Sequence, residues 1–370
     1  MNASKSKILV AMSGGVDSSV AAALLTKQGF AVAGAYMKNF SQESWKGIIH
    51  KECPWEQDVK DAKRVCAMLG IPFMSFNFEK EYEKKVIDYF FSEYKAGRTP
   101  NPDIMCNKEI KFKIFLDKAK KLGFDYIATG HYVQLKKIKK LRITNYELLK
   151  GRDPKKDQSY FLYTLTQKQL KHCLFPVGDY TKKEVRKHAK KFNLANAEKK
   201  DSQGICFVGH VNIHDFLKQR IKEKKGKIVD TNGRILGEHK GVWYYTIGQR
   251  HGIGLGGGIP YYVLKKNIKK NQLVVTQGKT KDIYQKNLSI KKIHWIGKAP
   301  KLPLRCTAKI RYQQSDQRCL LDVLGRGFVV NFIKPQFAVA SGQSVVFYKK
   351  DVMLGGGIIH NVKFKNQNEK

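Results

Sequence analysis

The chain has 370 residues, enough for two or three domains with separate cores, and its 42% hydrophobic content is ordinary for a soluble protein, with no apolar run as long as a membrane span. Seven cysteines at irregular spacing, with no C-x-x-C pair, argue against a disulfide framework, a thiolate-held zinc or an iron–sulfur site, and for a reducing compartment. The formal charge of +39, from 70 Lys+Arg against 31 Asp+Glu, is spread along the chain and suits a polyanionic partner such as RNA or DNA.

The short polar N-terminus implies no cleaved signal, and with the cysteine usage it points to a cytoplasmic protein without membrane contact. The first strand is Ile8–Met12, apolar and partly β-branched, and Ser18–Gln28 is Ala/Leu-rich, as a helix requires. Between them lies the stretch AMSGGVDSS, from Ala11 to Ser19. Gly14 and Gly15 allow a tight turn with exposed N–H groups, Ser13, Ser18 and Ser19 add hydroxyls, and the helix N-terminus adds a positive dipole end. Such a loop binds an anion. Asp17 stands where it either caps the helix or holds a Mg²⁺ beside a phosphate.

The loop has no lysine, whereas the Walker pattern needs one to reach the β/γ-phosphates. It is therefore poorly suited to moving a γ-phosphoryl group. It suits the β/γ unit as a departing pyrophosphate, with the α-phosphate open to attack.

Further strands are expected from Ala31 (AVAGAYM), Phe73 (FMSFNF) and Tyr126 (YIATGHYV), with helices at Gln57–Leu69, Glu81–Lys95 and Lys108–Leu122. This alternation predicts a parallel sheet covered on both faces, with ligands at the carboxyl ends of its strands. Beyond about Gly209, glycine turns separate short runs such as GVWYYTI and QLVVTQG, the texture of a small β-rich domain. CTAKIRY, RCLLDVL, GFVVNFI and SVVFY then read as strands of a β-barrel. The expected domains are 1–209, 210–285 and 286–370, and the tail NVKFKNQNEK is expected to fray.

Two cysteines stand out by context. Cys106, in NPDIMCNKEIKFK, falls just before a helix expected to start near Asn107 or Lys108, where the helix end and Lys108 and Lys111 favour thiolate; Asn-Pro-Asp reads as a rigid turn. Cys206, in KKDSQGICFVG, lies between glycines with lysines upstream. Cys66, Cys173, Cys306 and Cys319 read as small buried hydrophobes. Cys53 is undecided. Read alone, His131 is as readily a solvated strand end as a functional group, Tyr312 and its charged neighbour Arg311 are open to an ordinary barrel-surface reading, and Trp243–Tyr245 reads as packing.

The motifs SGGVDSS, NPDIMCN, ATGHY, KDQSYFLY, KKDSQGICFVG, YYTIGQRHGIGLGGG, KIRYQQ and SGQSVVFY occur in this order over nearly the whole chain. Together they resemble the bacterial-type tRNA-specific 2-thiouridylases, members of the PP-loop ATP pyrophosphatase superfamily. The resemblance implies an α/β PP-loop domain, a small β-rich central domain and a C-terminal β-barrel. It implies sulfur transfer to C2 of the wobble uridine in tRNAs reading Lys, Glu and Gln codons, with ATP and Mg²⁺ as cofactors. A sulfur-relay protein or cysteine desulfurase would donate the persulfide.

By the same resemblance Ala11, Met12, Ser13, Gly14, Gly15, Val16, Asp17, Ser18, Met37 and Gly130 match ATP-contacting positions, with Asp17 as metal ligand. Asn101, Pro102 and Asp103 match the segment facing the target base. Cys106 matches the nucleophile and Cys206 the persulfide carrier, a pair implied to pass through a disulfide. Lys156, Asp157 and Gln158, with Arg311 and Tyr312, match tRNA contacts, and His131 and Gln343 match positions near the base and nucleotide. Two other classes remain open at this stage. A small-molecule PP-loop ligase needs neither cysteine, and a non-catalytic RNA-binding module leaves SGGVDSS without a role.

Overall fold

Ile8, Leu9 and Val10 have no exposed surface, because their strand is the centre of a parallel sheet covered on both faces. The computed structural model describes residues 6–41, 55–140, 143–201, 213–256 and 258–360. The sheet joins β1 (Lys7–Met12), β2 (Ala31–Lys38), β3 (Phe73–Asn77) and β4 (Tyr126–Ala128). A hairpin of β5 (Val133–Lys140) and β6 (Ile143–Lys150) leaves it before β7 (Cys173–Leu174), giving the order β3-β2-β1-β4-β7. Leu9 and Ala11 pack with Ala33, Ala35 and Met37 under the helical runs 79–95 and 102–121. Ile8, Val10 and Met12 face the helices Val16–Lys27, Trp55–Met68 and Lys182–Lys191 on the other side.

Three expectations need correction here. YIATGHYV is not one strand: β4 ends at Ala128, and Val133 begins a strand of a different sheet. The break falls at Gly130, where a Cβ would sit 2.7 Å from the Ser18 backbone N, so the chain turns against the phosphate loop instead of continuing. The Cys106 helix does not start near Asn107. It starts at Pro102, with Asn101 as N-cap whose Oδ1 accepts from the Ile104 N–H, and runs through a π-helical stretch, Cys106–Phe115, to Lys121. Proline at the first helical position is favourable, so Asn-Pro-Asp is a helix start and not merely a turn. GVWYYTI is not a strand either. Val242–Tyr244 form a short 3₁₀ turn, with Val242, Tyr244 and Tyr245 buried as packing.

The central unit is a four-stranded sheet of β8 (Gly226–Val229), β9 (Ile235–His239), β10 (Tyr261–Asn267) and β11 (Gln272–Gln277), in the order β10-β11-β8-β9. The C-terminal strands are β12 (Tyr284–Trp295), β13 (Leu304–Lys309), β14 (Gln317–Leu324), β15 (Gly327–Phe337), β16 (Ser344–Lys349) and β17 (Val352–Ile359). They close as β12-β15-β14-β13-β16-β17, with Ile293 opposite Gly357 at the seam. Gly355 makes that closure possible, since a Cβ there would lie 2.0 Å from the His294 carbonyl oxygen. β6 adds to the barrel sheet through Val352 opposite Leu149, so a hairpin from the first half of the chain is built onto its last strand. Among the described residues no helix is long and apolar enough to cross a membrane.

Candidate active site

The SGGVDSS loop is held in shape mostly by its own hydroxyls. Ser18 Oγ accepts from the Ser13 N–H at 3.2 Å and donates to the Gly15 carbonyl at 3.1 Å, and Ser19 Oγ donates to the same carbonyl at 2.9 Å. Gly14 has φ +72° and lies so close to Asp58 that a Cβ would be 2.4 Å from that residue's carbonyl oxygen. From far along the sequence, buried Asn196 donates through Nδ2 to the Gly14 carbonyl and to Ser19 Oγ, both at 2.9 Å. The helix N-cap is Gly15, with no side-chain cap, so Asp17 is not a capping residue. Its Oδ1 instead accepts from Tyr132 Oη and from Lys182 Nζ, each at 2.7 Å.

Lys182 is the cation that the loop's own sequence lacks. It bridges Asp17 to Asp201, which also receives Lys156 at 2.6 Å and Arg186 at 2.8 Å. Burial would raise the Asp201 pKa, but hydrogen bonds from Lys156 and Lys182 outweigh it and hold the carboxyl well below the usual range. Sequence reasoning missed both Lys182 and Asn196. The available signal was local: Thr181 and Glu184 form a capping box that fixes the start of the Lys182–Lys191 helix beside the loop.

Hydrogen bonds tie the tRNA-matching segments to the chain after β4 and to the barrel. Gln158 Oε1 accepts from the Tyr132 N–H, and Gln343 Nε2 donates to the carbonyls of Thr99 and Pro100, just before Asn101, Pro102 and Asp103. Asp157 is buried, with Oδ1 accepting from the Gly151 and Ser159 N–H groups and Oδ2 from Lys309 Nζ at 3.1 Å. Asp157 and Gln158 thus fix backbone, while Lys156 keeps more of its side chain in solvent. Arg311 and Tyr312 follow β13 instead of lying within it. Arg311 is exposed, with its Nη2 donating to the Ala338 carbonyl, and half-buried Tyr312 packs its ring 4.4 Å from that of Phe161.

His131 is not solvated. It is 8% exposed, its Nδ1 is 2.8 Å from Thr129 Oγ1, and its ring packs near Phe112 and Phe175. Burial, helped by the charge of Lys111, lowers its pKa well below the usual 6.5, so the imidazole is neutral at pH 7. Cys106 does not precede its helix. It lies inside the second turn with no exposed surface, so its thiol can meet a substrate only after neighbouring groups move. Cys66 and Cys173 are buried as expected, and burial pushes the Cys66 thiol up to about 11. Cys319 is buried and Cys306 half-buried, with sulfurs 3.7 Å apart across β13 and β14. Cys53, Cys206, the Gly204-to-Gly209 loop and the tail 361–370 lie outside the described residues.

Comparison with known proteins bears on this arrangement. Residues 6–210 match the family model described as tRNA methyl transferase HUP domain, 214–277 a tRNA methyl transferase PRC-barrel domain, and 285–359 an aminomethyltransferase beta-barrel domain. A tRNA-specific 2-thiouridylase MnmA of Francisella philomiragia is 49% identical over 95% of this chain and 99% of its own. The protein of the same description from Halalkalibacterium halodurans is 47% identical over 99% and 98%, and that of Pseudomonas fluorescens 48% over 96% and 95%. With nearly half of its residues shared over almost its full length, the chain belongs to the tRNA-specific 2-thiouridylase family.

Proposed function

We propose that the chain is an ATP-dependent tRNA uridine 2-sulfurtransferase, which adenylates the wobble uridine at its C2 oxygen and replaces that oxygen with sulfur. The observation that carries this reading is the lysine-free, hydroxyl-rich SGGVDSS loop at the start of the first helix, in a chain of this family. The C2 oxygen of uracil is a poor leaving group, so sulfur cannot displace it directly. Attack of that oxygen on the α-phosphate breaks the bond to the β-phosphate and expels pyrophosphate, leaving the oxygen as part of an AMP leaving group. The hydroxyl-rich loop and the α-helix dipole receive the pyrophosphate charge. Lys182, 2.7 Å from Asp17, stands ready to add its own charge there. The uridine must also leave its stack to enter, which an anticodon loop permits at low cost.

Asp17 fits a Mg²⁺ ligand in a limited sense. Among the described residues no group of three or more His, Cys, Asp or Glu converges, so an ion at Asp17 would draw its remaining ligands from phosphate and water, as Mg²⁺ commonly does. When bound, it would neutralise charge on the phosphates. Tyr132 and Lys182 hold the Asp17 carboxylate in place through Oδ1.

Sulfur would reach the site as a persulfide on Cys206, delivered by a relay protein or a cysteine desulfurase. In one route its outer sulfur attacks C2, the C2–O bond breaks and AMP leaves; Cys106 thiolate then attacks Cys206 Sγ, freeing the thiolated base. In the other, Cys106 attacks first and the released hydrosulfide attacks C2. Both leave a Cys106–Cys206 disulfide that an external thiol reduces. The zero exposure of Cys106 supports a closed resting site that opens when tRNA binds. The test separates the two cysteines. Cys206→Ser should lose persulfide labelling and all thiolation from a protein donor, whereas Cys106→Ser should keep the persulfide and fail to thiolate. Both should still release pyrophosphate with ATP and tRNA. Wild-type thiolation by Cys206→Ser would overturn the two-cysteine route.

A further inference from the structure

Asn39 directly follows β2 and is 2% exposed, yet neither its Oδ1 nor its Nδ2 has a hydrogen-bond partner. Other buried amides here leave at most one atom unpaired: Asn107 and Asn196 each lack a partner only for Oδ1. Burying an amide with both ends unmet costs enough that such a group is expected to have a polar partner in the working state.

Its place in the fold narrows what that partner is. β2 lies beside β1, with Tyr36 opposite Met12, so Asn39 emerges at the carboxyl end of the sheet on one flank of the phosphate loop. The opposite flank, after β4, carries Gly130 against Asp17 and Ser18, followed by His131. Through Tyr132, Gln158 and the Asp157–Lys309 pair, that flank is tied to the barrel and to the segments that match tRNA contacts. With phosphates in the loop and RNA on the β4 flank, the nucleoside end of the triphosphate is left the β2 flank, where Met37 also lies.

We propose that Asn39 reads the adenine of ATP and sets the nucleotide specificity of the enzyme. Adenine presents its N6 amine beside a ring-nitrogen acceptor, and an amide meets that pair with one acceptor and one donor. Uracil also offers a donor–acceptor pair, but the segment matched to the target base is held through the Thr99 and Pro100 carbonyls by Gln343 of the barrel. This inference rests on the ATP-dependent reading of the loop.

The experiment measures binding of ATP, GTP and purine riboside 5′-triphosphate, which lacks the N6 amine, to the full chain and to Asn39→Ala and Asn39→Asp. Wild type should prefer ATP over purine riboside triphosphate by about tenfold or more, because the amine-free base leaves the Asn39 carbonyl unpaired. Asn39→Ala should weaken ATP and bring that ratio close to one. Asn39→Asp should shift preference toward GTP, since a carboxylate accepts from guanine N1–H and N2–H. A ratio in Asn39→Ala equal to wild type overturns the proposal, as does an equal loss for all three nucleotides, which marks a packing role. Wild type that binds ATP with the expected ratio but never thiolates tRNA sinks the functional reading alone, and one that binds no nucleotide sinks both.

Discussion

His131 sits between Thr129, Phe112 and Phe175 with an imidazole that burial and the charge of Lys111 keep neutral. At pH 7 it offers a hydrogen bond, not a proton, to whatever lies beside the loop. The unfolded chain's imidazole takes up a proton near pH 6.5 that the folded one refuses. Its stabilising contribution is therefore complete above about pH 6.5 and is lost as the pH falls below it. His131→Gln should reduce the acid sensitivity of folding between pH 6.5 and 5 by up to about 1.4 kcal/mol per pH unit, read from urea unfolding at stepped pH. Parallel pH dependences for the two proteins would show that His131 already protonates in the fold. At this scale the sequence named candidate residues but not their partners. Asp17 was legible in SGGVDSS, whereas Tyr132 and Lys182, 115 and 165 positions away, reach it only through the parallel sheet and its flanking helix. The same holds for Asn196 on Gly14 and for Gln343 on the 99–100 backbone. Nothing local to His131 marked it as buried, because its cover comes from Phe112 and Phe175 on separate elements.

The 102–121 helix has Asn101 as its cap, with Oδ1 taking the Ile104 N–H. The cap sets where the helix begins and hence that Cys106 lies inside it and not on its end. Asn101→Ala should cost about 1 kcal/mol of stability, and Asn101→Asp, which keeps the acceptor and favours the helix dipole, should cost little or nothing. Chemical denaturation of the two variants checks this, and an Ala variant as stable as wild type would mean that the cap is not what anchors the helix. The elements of the first sheet were readable because their apolar runs are continuous and their helices periodic. Errors fell where one apolar run serves two structures, as YIATGHYV does, or where proline reads as a breaker although it opens a helix. The run GVWYYTI misleads differently: its aromatic residues are buried, but by packing of a single 3₁₀ turn and not by strand pairing.

Across the molecule, the barrel is fastened to the N-terminal α/β unit by buried polar contacts. Tyr160 Oη donates to the Ser344 carbonyl at 2.9 Å, Tyr163 Oη lies 3.1 Å from Ser344 Oγ, and Lys309 pairs with Asp157. These contacts, with the β5–β6 hairpin added to β17, tie the barrel to the 157–163 segment, which reaches Asp17 of the SGGVDSS loop through Gln158 and Tyr132. The sequence showed three textures but no sign of this hairpin's destination, since strand pairing across some 200 residues leaves no local trace. The central claim is that these parts act together to exchange oxygen for sulfur on tRNA. The measurement that tests it most directly is nucleoside mass spectrometry of unmodified tRNA after incubation with the full chain, ATP, Mg²⁺ and a persulfide donor. The account predicts 2-thiouridine that forms only when ATP is present and disappears when Asp17 is replaced by Ala. Pyrophosphate release without any 2-thiouridine, or 2-thiouridine formed equally well without ATP, would contradict it.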